Sequence, residues 1–160
     1  SVASRGLGDV YKRQDYGCPH CEEFKPMMER VIAEHGDKLV VYFMNYPLGH
    51  FPGSDEAAAA AVAADRQRKF KEMHDKLFEH RTEHGHDAIL GYAREIGLDM
   101  ARFEADLVTA AEQVKADKQQ GQNAGVDSTP TIYFQDRKYE GPMGVRFINL
   151  WVDEELAVNR

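Results

Sequence analysis

The chain has 160 residues, of which 42% are hydrophobic, and a formal net charge of -7. This length supports one well-buried core and is short for two independent domains. The acidic balance, with a pI near 5.5, excludes electrostatic attraction to nucleic acid or to an anionic membrane surface, so we expect neither as a partner.

Residues 1–14 differ in pattern from the rest of the chain. They carry only scattered apolar side chains, without the continuous run of a buried strand or the apolar core of a signal peptide. We interpret residues 1–14 as a non-native leader from cloning or sequence assembly, joined upstream of Asp15. The alternative is a poorly patterned native strand. On the first interpretation, the first strand of the fold is missing or replaced.

Two cysteines separated by two residues, Cys18 and Cys21, come next. The apolar positions that follow predict a helix over residues 22–33, bent at Pro26. Cys18 would lie at or just before the start of this helix, where unpaired backbone N–H groups and the helix dipole favour a thiolate. A protonated His20 would add a second positive influence.

This pair of cysteines predicts a dithiol/disulfide redox site. A thiolate is the attacking species in disulfide exchange, and Cys21 is placed one turn later to resolve the mixed disulfide. The chain has no other cysteine, and a bridge between Cys18 and Cys21 closes a very small loop. Structural stapling is therefore a poor explanation for the pair.

The next segments predict one strand and a block of helices. The continuous apolar run Leu39–Met44 is typical of a strand covered on both faces, so we expect it in the middle of a sheet. Residues 54–124 are almost entirely helical in pattern and predict an inserted helical domain. Its expected helices are an alanine-rich one after a Ser54 N-cap, an amphipathic one over 70–78, one ended by Gly97, a short one capped by Asp99, and a last one running toward Gly121.

The strand pattern returns near the end of the chain. Thr131–Phe134 predicts a strand, residues 135–138 a hairpin connection, and the spacing of Val145, Ile148, Val152 and Leu156 a C-terminal helix. The order of elements predicts an α/β sheet covered by helices. We assign the sheet domain to residues 15–53 and 125–160.

Together these features resemble the DsbA-like branch of the thioredoxin superfamily. The resemblance rests on the Cys-Pro-His-Cys motif at residues 18–21, the proline-bent helix, the helical insertion and the segment Thr129-Pro130-Thr131. It covers about Asp15 to the end of the chain. It implies a thioredoxin-like fold with a helical insertion and protein thiol:disulfide oxidoreductase activity.

The resemblance also implies roles for residues of the motif. Cys18 would be the exposed attacking sulfur and Cys21 the buried resolving one. His20 would stabilise the Cys18 thiolate, and Pro19 would shape the start of the helix. Reasoning from the residues alone, His20 could instead be an ordinary exposed residue at a helix start.

A second segment, around Pro130, is implied to bind substrate. Pro130 in cis would bring Thr129 beside the sulfurs, where its backbone could pair with an extended substrate segment. The alternative is an ordinary trans proline at the first position of a strand. Two departures from the family pattern stand out: Ser128 replaces a common glycine, and no acidic group can be assigned beneath the cysteines to accept the Cys21 proton.

The expected function is that of a disulfide donor acting on extracytoplasmic proteins. A stabilised thiolate favours the reduced site, which then gives up its disulfide readily, and such chemistry suits the periplasm or cell exterior. A cytoplasmic location stays open. We expect protein or peptide thiols and disulfides as substrates, and a redox partner that regenerates the site disulfide.

Two other functions stay open from the sequence. One is a reductase or isomerase of the same fold. The other is a non-catalytic domain in which the cysteines bind a metal, with partners among His74, His80, His84 and His86. We favour solvated surface for the last three histidines, and we expect no metal and no cofactor.

Overall fold

A computed structural model describes residues 8–158 and contains a four-stranded sheet in the order β2-β1-β3-β4. The strands are β1 (Gly8–Gln14), β2 (Leu39–Asn45), β3 (Thr131–Phe134) and β4 (Arg137–Lys138). Strand β1 runs parallel to β2 and antiparallel to β3, and β3 is antiparallel to β4. Val10 pairs with both Val41 and Phe134, which places it in the centre of the sheet.

Six α-helices accompany the sheet within residues 8–158. They are α1 (Pro19–His35), α2 (Ser54–Asp65), α3 (Phe70–Glu79), α4 (His86–Glu95), α5 (Met100–Asn123) and α6 (Val145–Val158). A short 3-10 turn, Gly36–Lys38, joins α1 to β2. None of these helices combines the length and the apolar character needed to cross a bilayer.

Strand β1 corrects the expectation that the first strand is missing. Gly8–Gln14 is hydrogen-bonded to a neighbour on each side, and every residue except Tyr11 is buried. The sequence pattern did not reveal this strand because four of its buried residues are polar: Asp9, Lys12, Arg13 and Gln14. The non-native origin of residues 1–14 stays a prediction, and residues 1–7 lie outside the described part of the chain.

Strand β2 confirms the predicted strand but corrects its place in the sheet. Within the described residues β2 is at one end of the sheet, paired with β1. Helices α1 and α5 both pack against it. Because helices cover it, an end strand acquires the continuous apolar character that we expected of a central one.

The helical block between β2 and β3 is present, with two corrections. The short and the last helices expected there are one helix, α5, because residues 107–110 contain no glycine or proline to end it. Asp99 caps α5, accepting a hydrogen bond from the Arg102 backbone N–H at 3.1 Å. Ser54, the expected N-cap of α2, is instead the first residue of that helix, and the N-cap of α2 is Gly53.

The core is divided between the sheet and the inserted helices. One cluster joins β1 and β3 to α1 and α6, through residues such as Val10, Phe24 and Ile148. A second cluster fills the space among α2, α3 and α4, and it includes Cys18, Cys21 and Tyr16. The two cysteines therefore lie where the inserted helices meet the start of α1.

Candidate redox active site

Cys18 occupies the N-cap position of α1, as the sequence pattern predicts. Its backbone is extended (φ -80°, ψ 122°), and its carbonyl accepts the first helical hydrogen bond, from the Glu22 N–H at 3.1 Å. Pro19 is the first helical residue, a position that suits proline because no helical partner exists for its missing N–H. The Cys18 sulfur therefore lies beside the free N–H groups at the helix start.

The carboxylate of Asp15 holds the loop that presents Cys18. Its Oδ1 accepts hydrogen bonds from the Gly17 N–H at 2.8 Å and from the Ser54 hydroxyl at 2.6 Å. Its Oδ2 accepts one from the Leu48 N–H at 2.8 Å. The carbonyl of Asp15 also accepts from the Cys18 N–H at 3.1 Å. One buried residue thus fixes the turn before the motif and joins it to the start of α2.

Gly17 is required by close packing in the same loop. A Cβ atom at this position would lie 2.3 Å from the Cβ of Phe51 and 2.7 Å from the Ser54 hydroxyl oxygen. Because Phe51 would have to move, we expect any larger residue here to displace the loop that carries Cys18.

The surroundings of Cys18 favour its thiolate. They lower its pKa to about 5, first because the Cys21 thiol donates a hydrogen bond to its sulfur, and also through the Thr129 side chain and the backbone N–H groups of Cys21 and His20. Burial acts in the opposite direction. The donors are therefore strong enough to outweigh the cost of removing the sulfur from water.

Cys21 has the opposite character. Its pKa lies above the ordinary range of a cysteine, mainly because it donates its proton to Cys18 and because it is buried. The two thiols share one short loop and one hydrogen bond, and at neutral pH the charge belongs to Cys18. This is the division of roles that disulfide exchange needs.

The exposure of Cys18 is smaller than the resemblance implies. Cys18 is 3% exposed and Cys21 fully buried, and both are free thiols. The expected exposed sulfur is therefore corrected to a sulfur just beneath the surface, next to the exposed Pro19 and His20. The physical reason is that the Thr129 segment lies over it, with the Thr129 carbonyl oxygen 3.7 Å from the Cys18 sulfur.

Thr129 and Pro130 are brought to the site by the connection into β3. The peptide bond between them is cis. The Thr129 hydroxyl is buried, and it has no hydrogen-bond partner of good geometry among residues 8–158. An ionised Cys18 would supply the acceptor that this hydroxyl lacks.

His20 is placed differently from the other residues of the motif. Its side chain is 78% exposed and its Nδ1 lies 3.9 Å from Glu23 Oε2. The backbone N–H of His20 contributes to Cys18, as described above, whereas the structure shows no bond from its ring to that sulfur. The ring could therefore affect the Cys18 pKa only through the long-range attraction between a protonated imidazole and the thiolate.

The histidines of the inserted helices require one correction. His84 is buried, not solvated, and its Nε2 is 2.8 Å from the Leu77 carbonyl oxygen. His74 is also buried, with its Nδ1 2.8 Å from the Tyr16 hydroxyl, and burial lowers its pKa to about 3. The described residues contain no group of three or more potential ligands arranged to hold a metal ion.

Three residues near the motif were not identified from the sequence. The sequence pattern gives no role to Asp15 or to Arg81, whose Nη1 donates to the Gly17 carbonyl at 3.2 Å. Lys12 lies on β1, fully buried, with its ammonium group near the rings of Phe24, Phe43 and Phe78. A polar residue two or three positions before a redox motif is a signal that could have indicated Asp15.

Comparison with known proteins identifies the family. The family described as Thioredoxin matches residues 9–154. The chain belongs to this family. The predicted resemblance is confirmed at this level, and so is the predicted thioredoxin-like fold with its inserted helices.

Solved structures show the same fold in DsbA-like proteins. The thiol-disulfide exchange protein alpha-DsbA2 from Wolbachia pipientis is 23% identical to this thioredoxin-family chain, with a TM-score of 0.83, covering 97% of this chain and 85% of that one. BdbD from Bacillus subtilis, in its oxidised form, is also 23% identical with a TM-score of 0.83, and the two chains are covered to 97% and 90%.

Curated relatives are longer proteins. Na(+)/H(+) antiporter NhaA 1 from Mycobacterium sp. (strain KMS) is 32% identical over 133 residues, which make up 80% of this chain and 22% of the antiporter. The thioredoxin-family chain thus spans about a fifth of the length of the curated relatives it matches.

Proposed function

We propose that the chain is a protein thiol:disulfide oxidoreductase that acts through Cys18 and Cys21. The observation that carries the proposal is the asymmetry of the two thiols: Cys18 accepts a hydrogen bond from Cys21, and its pKa is lowered to about 5. A site with one ionised and one protonated sulfur can form and resolve a mixed disulfide.

The proposed direction is donation of the disulfide. A substrate thiolate attacks the Cys18 sulfur of the oxidised site, the bond between Cys18 and Cys21 breaks, and Cys21 leaves with the electron pair and takes up a proton. A second substrate thiolate then attacks the substrate sulfur of the mixed disulfide and releases Cys18 as a thiolate. The substrate gains a disulfide, and the site is reduced by two electrons.

The stabilised thiolate supports this direction. The pKa of Cys18 is about 5, whereas free cysteine, with a pKa of about 8.5, is mostly protonated at pH 7. Only the two units between pH 5 and pH 7 therefore count, and at about 1.4 kcal/mol each they stabilise the reduced site by about 3 kcal/mol. This corresponds to about 60 mV toward an oxidising couple. Reductase or isomerase activity of the same fold is the alternative.

The residues around the cysteines have supporting roles in this proposal. Pro19 begins the helix at the position where it shapes the approach to Cys18, and a protonated His20 adds positive charge near the thiolate. The backbone of Thr129, held by Pro130, pairs with an extended substrate segment beside the sulfurs. The contact between the Thr129 carbonyl oxygen and the Cys18 sulfur, at 3.7 Å, supports this placement.

The proposed setting is extracytoplasmic, where disulfides persist. The substrates are protein or peptide thiols, and a separate redox partner reoxidises the site. We also propose that residues 54–124 form an inserted helical domain within a thioredoxin-like domain of residues 15–53 and 125–160, with β1 completing its sheet.

The decisive experiment combines a potential with a trapping assay. We expect equilibration of the protein in glutathione buffers to give a potential above (more oxidising than) that of a Cys-x-x-Cys peptide of the same sequence. We expect Cys21→Ser to accumulate a mixed disulfide with a disulfide-bonded peptide, because the Cys18 thiolate attacks one peptide sulfur and releases the other as a thiolate. Cys18→Ser is the matched control and should trap nothing. A potential equal to that of the peptide would contradict disulfide donation, and absence of any mixed disulfide would contradict exchange altogether.

The antiporter relatives favour a second setting, in which the same redox unit is part of a longer membrane protein. The matching region makes up 22% of those relatives. The genomic coding sequence on both sides of this chain tests the idea. A reading frame that continues into an apolar, multi-helix region would support it, and an adjacent export signal with a stop codon after the redox unit would contradict it.

A further inference from the structure

Arg81 lies in the loop between α3 and α4, and its side chain reaches both ends of the Cys-x-x-Cys motif. Its Nη1 donates to the carbonyl oxygen of Gly17, the residue before Cys18, at 3.2 Å. Its Nε lies 3.2 Å from Oε2 of Glu22, the residue after Cys21. A single guanidinium therefore contacts one group on each side of the motif.

We propose that Arg81 is a positioning residue for the redox motif: it fixes the Gly17 carbonyl in front of Cys18 and neutralises the Glu22 carboxylate in the first turn of α1. The proposal rests on the proposed redox function of Cys18. On this proposal the inserted helices do more than cover the redox motif, because a residue of their α3–α4 loop influences the charge on Cys18.

The loop that carries Arg81 is fixed independently of the motif. The His84 ring bonds to the Leu77 carbonyl at 2.8 Å, and the Tyr92 hydroxyl donates to the Glu83 carbonyl at 2.7 Å. The His80 ring stacks on the Tyr92 ring with centroids 5.1 Å apart. Because the loop is already ordered, Arg81 loses little further freedom when it binds Gly17 and Glu22.

Arginine is suited to this double contact. The Arg81 side chain is 27% exposed and its Nε is fully buried, whereas Glu22 is 46% exposed. A planar guanidinium can donate from Nη1 to Gly17 while its charge lies beside Glu22, and it keeps that charge when partly buried. The contact of Nε with Glu22 is an ion pair without a hydrogen bond of good geometry. A lysine at the same place would keep the charge but could not reach both groups with one rigid fork.

The charge of Glu22 explains why pairing would affect Cys18. Glu22 follows Cys18 by four positions at the start of the helix, where side chains of that spacing are neighbours. An uncompensated carboxylate there disfavours a second negative charge on the Cys18 sulfur. Other charged or titratable groups around the motif include Asp15, Lys12, Tyr16, His84, His20 with its partner Glu23, and the Cys21 thiol.

The test is a double-mutant cycle read out as the Cys18 pKa, measured by thiolate absorbance at 240 nm and by the pH dependence of alkylation. We expect Arg81→Met to raise the pKa by about half a unit, which lowers the thiolate fraction in acid about threefold. Glu22→Gln alone should lower the pKa, because Arg81 then keeps its charge without a partner. The double variant should return close to the unmodified value.

Cancellation in the double variant separates charge pairing from a purely structural role. If Arg81 only held the loop, the shift caused by Arg81→Met would persist after Glu22→Gln, and neutralisation would be wrong. Arg81→Lys should recover most of the pKa. If Arg81→Met does not fold, Glu22→Gln still tests the pairing: a lower Cys18 pKa supports it, and an unchanged pKa would overturn it.

Arg66→Met is the matched control. Arg66 also pairs with a carboxylate, Asp106, at 3.3 Å, but it lies at the end of α2 and is not part of the motif, so we expect no change in the Cys18 pKa. An ordinary Cys18 pKa in the unmodified protein would refute the proposed redox function itself. A low pKa that is unaffected by Arg81→Met would refute only the role of Arg81.

Discussion

The surroundings of Cys18 and the region around Lys12 differ in the partners that they give to a buried charge. Around Cys18, backbone N–H groups and the Thr129 side chain converge on one sulfur. Near Cys21, the Lys12 ammonium is buried without a hydrogen-bond partner among residues 8–158. One side is organised to hold a negative charge on a sulfur, and the other contains an ammonium group surrounded by aromatic rings.

Both regions lie close to the two sulfurs, but only the region around Cys18 is arranged to stabilise the charge that it contains. The segment after Asp15 supplies hydrogen bonds where charge develops. Strand β1 supplies the hydrogen bonds of the sheet, but its Lys12 side chain meets three phenylalanine rings and no carboxylate.

Removing the buried ammonium should have the largest effect. Burial lowers the pKa of Lys12 to about 8, so we expect Lys12→Met to increase the free energy of unfolding at pH 7 by about 3 kcal/mol. The gain should be full well below pH 8, shrink between about pH 8 and 10.5, and vanish above 10.5, where lysine is neutral in the folded and unfolded chains alike. Urea unfolding at several pH values measures it.

The exposed Lys38 provides the control for this stability effect. Lys38→Met should change the free energy of unfolding by less than about 0.5 kcal/mol, as expected for a surface position. If Lys12→Met proves destabilising, then Lys12 has a partner in solution, and the contrast between the two regions is wrong.

The next prediction compares the reactivity of the two sulfurs. At pH 6 we expect iodoacetamide to modify Cys18 at least about thirtyfold faster than Cys21, because Cys18 is mostly ionised while the pKa of Cys21 lies above the ordinary value. Peptide mass mapping of the reduced protein gives the two rates. In urea the rates should become similar, and a difference that persists there would point to the local sequence rather than the fold.

A smaller effect isolates one donor to Cys18. Thr129→Val keeps the shape of the side chain but removes its hydroxyl, so we expect the Cys18 pKa to rise by about one unit. Thr129→Ser, which keeps a hydroxyl, should stay near the unmodified value. Ultraviolet titration of the thiolate measures both. Equal shifts in the two variants would assign the effect to packing.

The smallest effect concerns His20. Because its ring is exposed and 3.9 Å from Glu23, we expect His20→Gln to make the couple less oxidising by about 15 mV, equivalent to half a pKa unit of Cys18. His50→Gln, another exposed histidine, should leave the potential unchanged. An unchanged potential in His20→Gln would contradict a tuning role for the ring.

The sequence predicted those parts of the fold that depend on local patterns. Ala57–Ala64 and the spacing of Met73, Leu77 and Phe78 indicate helices by themselves, and α2 and α3 are there. Cys18 at the start of α1 also followed from spacing, since the apolar positions of the helix determine where it begins. These predictions succeeded because each depends on neighbours within a few residues.

Features that depend on distant partners were not predicted. Strand β1 has no apolar pattern, and it is ordered by hydrogen bonds to β2 and β3, which lie far along the chain. The contact of Arg81 with Gly17 likewise joins residues separated by 64 positions. No local periodicity reports such a contact, because it arises only when the inserted helices pack against the motif.

The carboxylate of Asp15 has a consequence for how this protein opens. Since it binds Gly17 and Ser54 through Oδ1 and Leu48 through Oδ2, each of these three segments that moves away removes a hydrogen bond from a buried carboxylate. The amide protons of Gly17 and Leu48 should therefore exchange with deuterium at matched rates, as members of one cooperative unit. The redox loop and the first inserted helix would then be lost, or kept, together.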